Sequence, residues 1–308
     1  MPRSSVPRDA DRPSGARRQG VRFPDARLVE AYLHRLGLEL PLPAPTAGLL
    51  RELHLRHLRA VPFENLSVHL GQEIVLEERL LVEKIVEARR GGFCYELNGA
   101  FGALLTALGF QVTLLAARVY GEEGRLGIPY DHLALLVGAA DGGQWLADVG
   151  FGAHSHHPLR WGHDGEQADP GGTFRIAAAA PDPVGAEAGA GTDRAGAGAA
   201  VQGRDMDVVR DGARVYRLEM RPRVLGDFAA GAWWHSTSPE SHFTQSLICS
   251  RLTEEGGRIT LGGRRFKATS ADGTSTEHEL EADEEVLEVY REQFGIELDR
   301  VPTVRTHG

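Results

Sequence analysis

Arg90-Gly91-Gly92-Phe93-Cys94-Tyr95-Glu96-Leu97-Asn98-Gly99-Ala100-Phe101 is the stretch on which the fold turns. Two consecutive glycines release the chain from what precedes them and permit a sharp change of direction. Apolar residues then recur at Cys94, Leu97, Phe101, Leu104, Leu105 and Leu108, the spacing of one helical face, and Gly109 stands where a C-terminal cap glycine belongs. The spacing predicts a helix from Cys94 to Leu108 with Cys94 in its first turn. Backbone N–H groups there lack intrahelical acceptors and carry partial positive charge, an environment expected to favour thiolate, the nucleophilic form. A small buried core residue is the plainer use of a free cysteine, so a nucleophile also needs a base and a group that orients the base.

The chain downstream offers both. Residues 132–138 (HLALLVG) and 144–149 (QWLADV) read as strands joined by the Gly/Asp turn Ala139–Gly143, hence as an antiparallel hairpin. With an odd number of loop residues the paired positions sum to an even number. His132 and Asp148 then share a face, close enough for an imidazole–carboxylate hydrogen bond. A one-residue slip would separate them, and a satisfied strand histidine with a turn-proximal acid is the alternative.

Upstream the pattern is helical. Leu28, Val29, Tyr32, Leu33 and Leu36 mark a helix over 26–36 stopped by Gly37. A second starts at the cap Thr46, with Leu49, Leu50, Leu53 and Leu58 inward and Pro62 beyond its end. A third covers 78–89 with Leu81, Val82, Ile85 and Val86 inward. After Gly109, residues 111–120 read as a strand, and 207–220 as a hairpin around Asp211-Gly212. Strands are expected at 244–252 and 257–268, and an amphipathic helix over 283–294 capped by Asp283. Residues 1–20, rich in Arg, Pro, Ser and Asp, read as a disordered tail without the apolar segment of a signal peptide. The Ala/Gly-rich run at 177–205 has little to bury and reads as a mobile surface insertion.

Composition narrows the class. The 308 residues are 42% hydrophobic and 25% charged, ordinary for a soluble globular protein. A net charge of −9 argues against a nucleic-acid binder working through a general basic field. No apolar run approaches the ~20 residues of a membrane helix. Two cysteines, Cys94 and Cys249, make no disulfide framework and point to a reducing, cytoplasmic setting. Cys249, in the apolar SLICSR, reads as core, and so does the Trp233-Trp234 pair. His154, His156 and His157 lack the partners of a closed zinc site. They read as a solvated loop, His54 and His57 as a surface helix face, and no metal is assigned.

RGGFCYELNGAF, Asp131-His132 and Asp148-Val149-Gly150-Phe151-Gly152 together resemble the arylamine N-acetyltransferase family. Pro62-Phe63-Glu64-Asn65-Leu66 matches another motif of that family, and Ser236-Thr237-Ser238-Pro239-Glu240-Ser241-His242-Phe243 resembles its third-domain signature. The resemblance spans about residues 26–295. It implies an α+β fold in three parts with a cysteine-protease-like triad. A helical bundle holding the cysteine would cover 21–110, an antiparallel β-barrel holding His and Asp 111–222, and an α/β lid 223–308. The family's nucleophile falls on Cys94, its histidine on His132 and its aspartate on Asp148. Arg90 and Glu64 match a supporting charged pair. Phe63, Phe93, Gly150, Phe151 and Gly152 would border the substrate and cofactor pocket. The implied reaction is ping-pong: acetyl-CoA, a substrate rather than a permanently bound cofactor, acetylates Cys94, and an arylamine or hydrazine removes the acetyl group. Two rivals keep the cysteine chemistry. One is an amide synthase closing a macrolactam on a polyketide thioester. The other is a cysteine hydrolase or transglutaminase-like enzyme, against which the DVGFG and PFENL blocks speak. A non-enzymatic ligand-binding module is a third, disfavoured by the intact triad. The tail, the insertion and the Ala153–His157 loop depart from the family pattern, which puts the acceptor preference in question.

Overall fold

The structure, a computed structural model, describes residues 26–179 and 204–304, so the tail expected at 1–20 and most of the 177–205 insertion lie outside the described residues. Five helices and a short strand come first: α1 (Ala26–Arg35), α2 (Ala47–Ala60), β1 (Phe63–Glu64), α3 (Leu66–Leu70), α4 (Glu78–Val86) and α5 (Cys94–Ala107). The Thr46 hydroxyl caps α2 as expected, accepting from Leu49 N. The third expected helix is shorter than the 78–89 read from periodicity. Arg89 takes a left-handed φ of 50°, so the chain leaves α4 before it reaches the glycines. The short α3 has no counterpart in the sequence reading.

The helix α5 is buried on every side from Cys94 to Leu105. An element apolar all round has to sit inside its domain rather than on a surface. Helices α1, α2 and α4 cover one side of it, and two strands of the following sheet cover the other. Full burial of side chains such as Leu97, Phe101 and Leu104 stabilises by about 1.5–3 kcal/mol each before entropy is counted. Gly109, at φ 91°, ends the helix as the cap pattern foretold.

Next come β2 (Gln111–Val119), β3 (His132–Gly138), β4 (Gln144–Ala147), β5 (Leu159–Arg160), β6 (Gln167–Asp169), β7 (Gly172–Ala178), β8 (Met206–Arg210) and β9 (Ala213–Arg223). They form one antiparallel sheet in the order β5-β4-β3-β2-β9-β8-β7-β6. Its two edge strands are joined by side chain rather than by ladder. Gln167 accepts from Arg160 N at 2.6 Å and donates to Arg160 O at 3.1 Å, which brings the sheet close to a closed barrel. Strand β7 runs through Ala178, paired with Met206, so the ladder continues into residues assigned to the insertion. The hairpin at Asp211-Gly212 is present.

The chain ends with α6 (Ala229–Thr237), α7 (His242–Gln245), β10 (Cys249–Leu252), β11 (Arg258–Gly262), β12 (Arg265–Thr269), β13 (Ser275–Glu279) and α8 (Asp283–Phe294). Two expected strands are revised here. The 244–252 run begins as helix, because Ser241 caps α7 by accepting from Phe243 N. The 257–268 run is a hairpin turning at Gly263-Arg264. The cap of α8 is also revised: Ala282 is the cap residue, Glu285 accepts from Ala282 N, and Asp283 instead pairs with Arg264. The second sheet has the order β1-β10-β11-β12-β13, so its first strand comes from the helical segment and ties that segment to the C-terminal sheet. Asn65 locks the junction. Its amide donates to Phe243 O and Ser246 O and its carbonyl accepts from Ile248 N.

Candidate active site

Cys94 is the first residue of α5, so its N–H and that of Tyr95 point out of the helix without an intrahelical acceptor. The chain enters α5 over a tight contact: a Cβ built on Gly91 would lie 1.7 Å from Pro62 O. Arg90, one residue earlier, is clamped by Glu64 through two hydrogen bonds of 2.9 and 3.1 Å, and both side chains are buried. Burial alone would raise the Glu64 carboxyl. The Arg90 and Lys84 charges and the hydrogen bond from Leu66 N outweigh it and hold the group below its ordinary range. Glu96 receives Phe93 N at 3.2 Å and Lys84 Nζ at 2.5 Å, fixing the helix entrance from the other side.

The hairpin register decides the rest. Leu135 pairs with Ala147 across the five-residue turn, so the paired positions sum to an even number and His132 and Asp148 fall on one face. His132 Nε2 lies 2.7 Å from Asp148 Oδ2. The other carboxylate oxygen accepts from Asn98 Nδ2 at 2.8 Å and from Gly150 N at 3.0 Å. Asn98 also donates to Leu133 O and accepts from Val149 N, so one amide on α5 holds both strands of the hairpin. It sits four residues after Cys94, on the same helical face.

With Nε2 on Asp148, the other nitrogen of His132 is Nδ1, and Cys94 is among the groups that act on the imidazole. Burial on its own would lower the His132 imidazole. The Asp148 charge, the Asp148 hydrogen bond and the Cys94 contact together raise it to about 10. Asp148 shows the converse: burial would raise it, and His132 and Asn98 hold it well below the usual carboxylate range. The two rings flanking His132 are Phe151, edge-on at 5.1 Å, and Tyr216 at 5.2 Å.

A cavity of about 590 Å³ opens over Cys94 and His132. Of the five expected pocket residues, Phe63, Gly150 and Phe151 line it. Phe93 lies one layer back, wholly buried between Tyr95 and Phe243. Gly152 sits behind Phe63. Trp234 lines the cavity instead of packing away from it, and its neighbour Trp233 is 67% exposed.

The histidines are the main departure from the sequence reading. His54 and His57, expected on a surface, are fully buried in α2. His54 Nε2 accepts from Asp148 N at 3.2 Å, and its Nδ1 donates to His156 O at 3.0 Å, so it supports the backbone of Asp148 directly. His57 meets the Tyr32 hydroxyl. His154 and His156, expected in a solvated loop, are also buried, and His154 stacks on Tyr216. Burial lowers both His54 and His154 to about 4, which makes them neutral props. Helical periodicity treats histidine as polar and gives no sign of this; only the long-range contact between α2 and residues 148–156 reveals it.

A helix-entrance cysteine facing a strand-borne histidine that leans on an aspartate defines the cysteine-dependent class with a Cys–His–Asp arrangement. The chain belongs to the arylamine N-acetyltransferase family. The model of the N-acetyltransferase family matches residues 46–303. The chain is 33% identical over 274 residues to the arylamine N-acetyltransferase / N-hydroxyarylamine O-acetyltransferase of Salmonella typhimurium, covering 89% of this chain and 90% of that one. Among solved structures, the Salmonella typhimurium arylamine N-acetyltransferase superposes with a TM-score of 0.73 at 32% identity, covering 91% of this chain and 94% of that one. The Mycobacterium marinum arylamine N-acetyltransferase in complex with CoA gives 0.71 at 28% identity, covering 87% and 92%. Both likenesses agree with the α+β fold expected from sequence.

Proposed function

We propose that the protein transfers an acetyl group from acetyl-CoA to the nitrogen of an arylamine or hydrazine, by way of an acetyl group held on Cys94. The observation that carries the reading is the Cys94–His132–Asp148 alignment at the floor of an aromatic-walled cavity. Family membership supports it, as does a relative captured with CoA.

Asp148 fixes the His132 ring and favours its charged form, and the chemistry calls for the Cys94 sulfur to react as the nucleophile beside it. The Cys94 sulfur attacks the thioester carbon and forms a new C–S bond. Negative charge gathers on the carbonyl oxygen, and the outward-facing N–H of Cys94 is placed to receive it. The CoA sulfur leaves with the proton from His132 Nδ1. An amine then attacks the acetyl-cysteine. His132 takes its proton, the C–S bond breaks, and the amide departs with the thiolate regenerated. A cavity of about 590 Å³ lies within the usual span of small-molecule sites. Its aromatic walls, Phe63, Phe151, Trp234 and Phe243, suit an aryl ring.

The same reading takes the chain as three parts, divided near residues 110 and 222. The separate apolar cores of the eight-stranded sheet and of the C-terminal sheet with α8 support that division. Among the described residues no helix is long and apolar enough to cross a membrane. Two free, buried cysteines fit a reducing compartment, and we assign the protein to the cytoplasm.

The test is release of free CoA from acetyl-CoA as a function of aniline concentration. The reading expects release that depends on the amine and gives parallel double-reciprocal lines. Release that is independent of amine, or cleavage of a peptide substrate instead, contradicts it.

A further inference from the structure

A second histidine–aspartate pair lines the same cavity. His235, on α6, places Nε2 2.9 Å from Asp131 Oδ1. Asp131 immediately precedes His132, and its other oxygen accepts from Val119 N at 3.1 Å. The segment between Val119 and Asp131 lines the cavity through Tyr120, Leu126 and Ile128 among others. One carboxylate therefore joins the base of the cavity loop, the backbone next to His132 and a helix of the C-terminal part.

The joint is built from both sides. Tyr95, the residue after Cys94, donates its hydroxyl to Tyr130 O at 2.7 Å and can reach Asp131 O at 3.0 Å. Helix α6 presses on this contact through Gly231, where an added Cβ would lie 2.7 Å from Tyr130 O and 2.9 Å from the Tyr95 hydroxyl. His235 comes one turn later on the same face of α6, which aims it at Asp131. Its remaining ring nitrogen lies 3.3 Å from Ser241 Oγ, the cap of α7. The adjacent Glu240 and the following His242 and Phe243 line the cavity too. The pair reaches the helix entrance through Tyr95, whose ring packs on His235 and whose hydroxyl reaches Asp131 O, and through the cavity walls.

We propose that His235 and Asp131 form a clasp that sets the position of the 120–131 wall against α6 and thereby selects the amine acceptor, a positioning pair for the second half-reaction rather than a second base. The proposal rests on the acetyl-transfer reading, and its test separates the two. The variants His235→Ala, His235→Gln and Asp131→Ala are compared with the unaltered protein in three measurements. These are the rate of acetyl transfer from acetyl-CoA to Cys94 by intact mass, the rate at which aniline and a bulky para-substituted aniline discharge the acetyl-enzyme, and amide hydrogen exchange over 119–131.

The clasp predicts that His235→Ala slows discharge by the bulky aniline at least ten-fold, with the loss appearing in KM. Acetylation of Cys94 should slow several-fold less, and His235→Gln, which can still donate to Asp131, should recover part of the loss. It also predicts faster exchange at 119–131 in the Ala variants with helix Cys94–Ala107 unchanged. Equal losses in both half-reactions, unchanged acceptor KM, or no change in exchange would each overturn it. Exchange is read without turnover. If the unaltered protein never acetylates Cys94, the acetyl-transfer reading fails, and the exchange result alone upholds or removes the clasp as a joint.

Discussion

Gly150 lies flush against Cys94: a Cβ added at Gly150 would come within 2.7 Å of Cys94 Cα and 3.0 Å of Cys94 O. The turn that follows Asp148 therefore fits over the helix entrance only because residue 150 has no side chain. Its N–H meanwhile donates to Asp148 Oδ1. Gly150→Ala must push the hairpin away from α5. The expected cost is about 1–3 kcal/mol of stability, as for other overpacked sites. Activity should fall by a larger factor than stability, because the sulfur and imidazole separate. Urea unfolding and turnover measured on the same preparation check both.

Asp148→Asn keeps the shape but removes the charge that holds His132 in its working form. Turnover should fall by about 10³–10⁴-fold, as expected when an orienting carboxylate loses its charge. The fold should survive, because Asn can still serve Gly150 N through its carbonyl oxygen. Circular dichroism together with single-turnover acetylation distinguishes this from unfolding.

Arg90 and Glu64 are a buried pair whose members are worth little apart. Arg90→Met leaves the Glu64 carboxylate without its main partner at the root of α5. The expected loss is about 3–5 kcal/mol. Arg90→Met combined with Glu64→Leu should cost less than Arg90→Met alone. If the double variant is the less stable one, the pair is not held together by mutual neutralisation, and chemical denaturation would show it.

The buried titrating groups set the pH range of stability. His54 and His154 are lowered by burial to about 4. The unfolded chain binds protons at about 6.5, so stability should fall as pH drops from about 6.5 toward 4. Glu64 is held below its ordinary value, and its share is likewise lost on further acidification. His132 runs the other way: raised to about 10, its contribution is complete below the ordinary histidine range and is lost as pH rises through about 10. Melting temperature should therefore peak between these limits. In His54→Gln the acid-side decline should be shallower, with His154 still contributing over the same range.

The sequence exposed the parts of the site that are local. A glycine pair before apolar residues at helical spacing marks a helix entrance, and an odd-length hairpin loop puts His132 and Asp148 on one face. Asn98 was in plain view within RGGFCYELNGAF, four residues after Cys94. Its role depends on the hairpin docking against α5 and has no local signal. The same holds for His54, His154 and His235, whose partners lie 94, 1 and 104 positions away or in stacked rings, mostly beyond the reach of periodicity. Helix α7 was hidden because its four residues give no periodic pattern, only the cap at Ser241. Trp234 read as packing because a Trp-Trp pair does not disclose which ring faces a cavity.

Intact mass of the protein after brief exposure to acetyl-CoA, with no amine present, tests the central claim most directly. One acetyl group should appear, map to Cys94, vanish when aniline is added, and be absent in Cys94→Ala. An unmodified mass, or an adduct that persists in Cys94→Ala, would contradict the account.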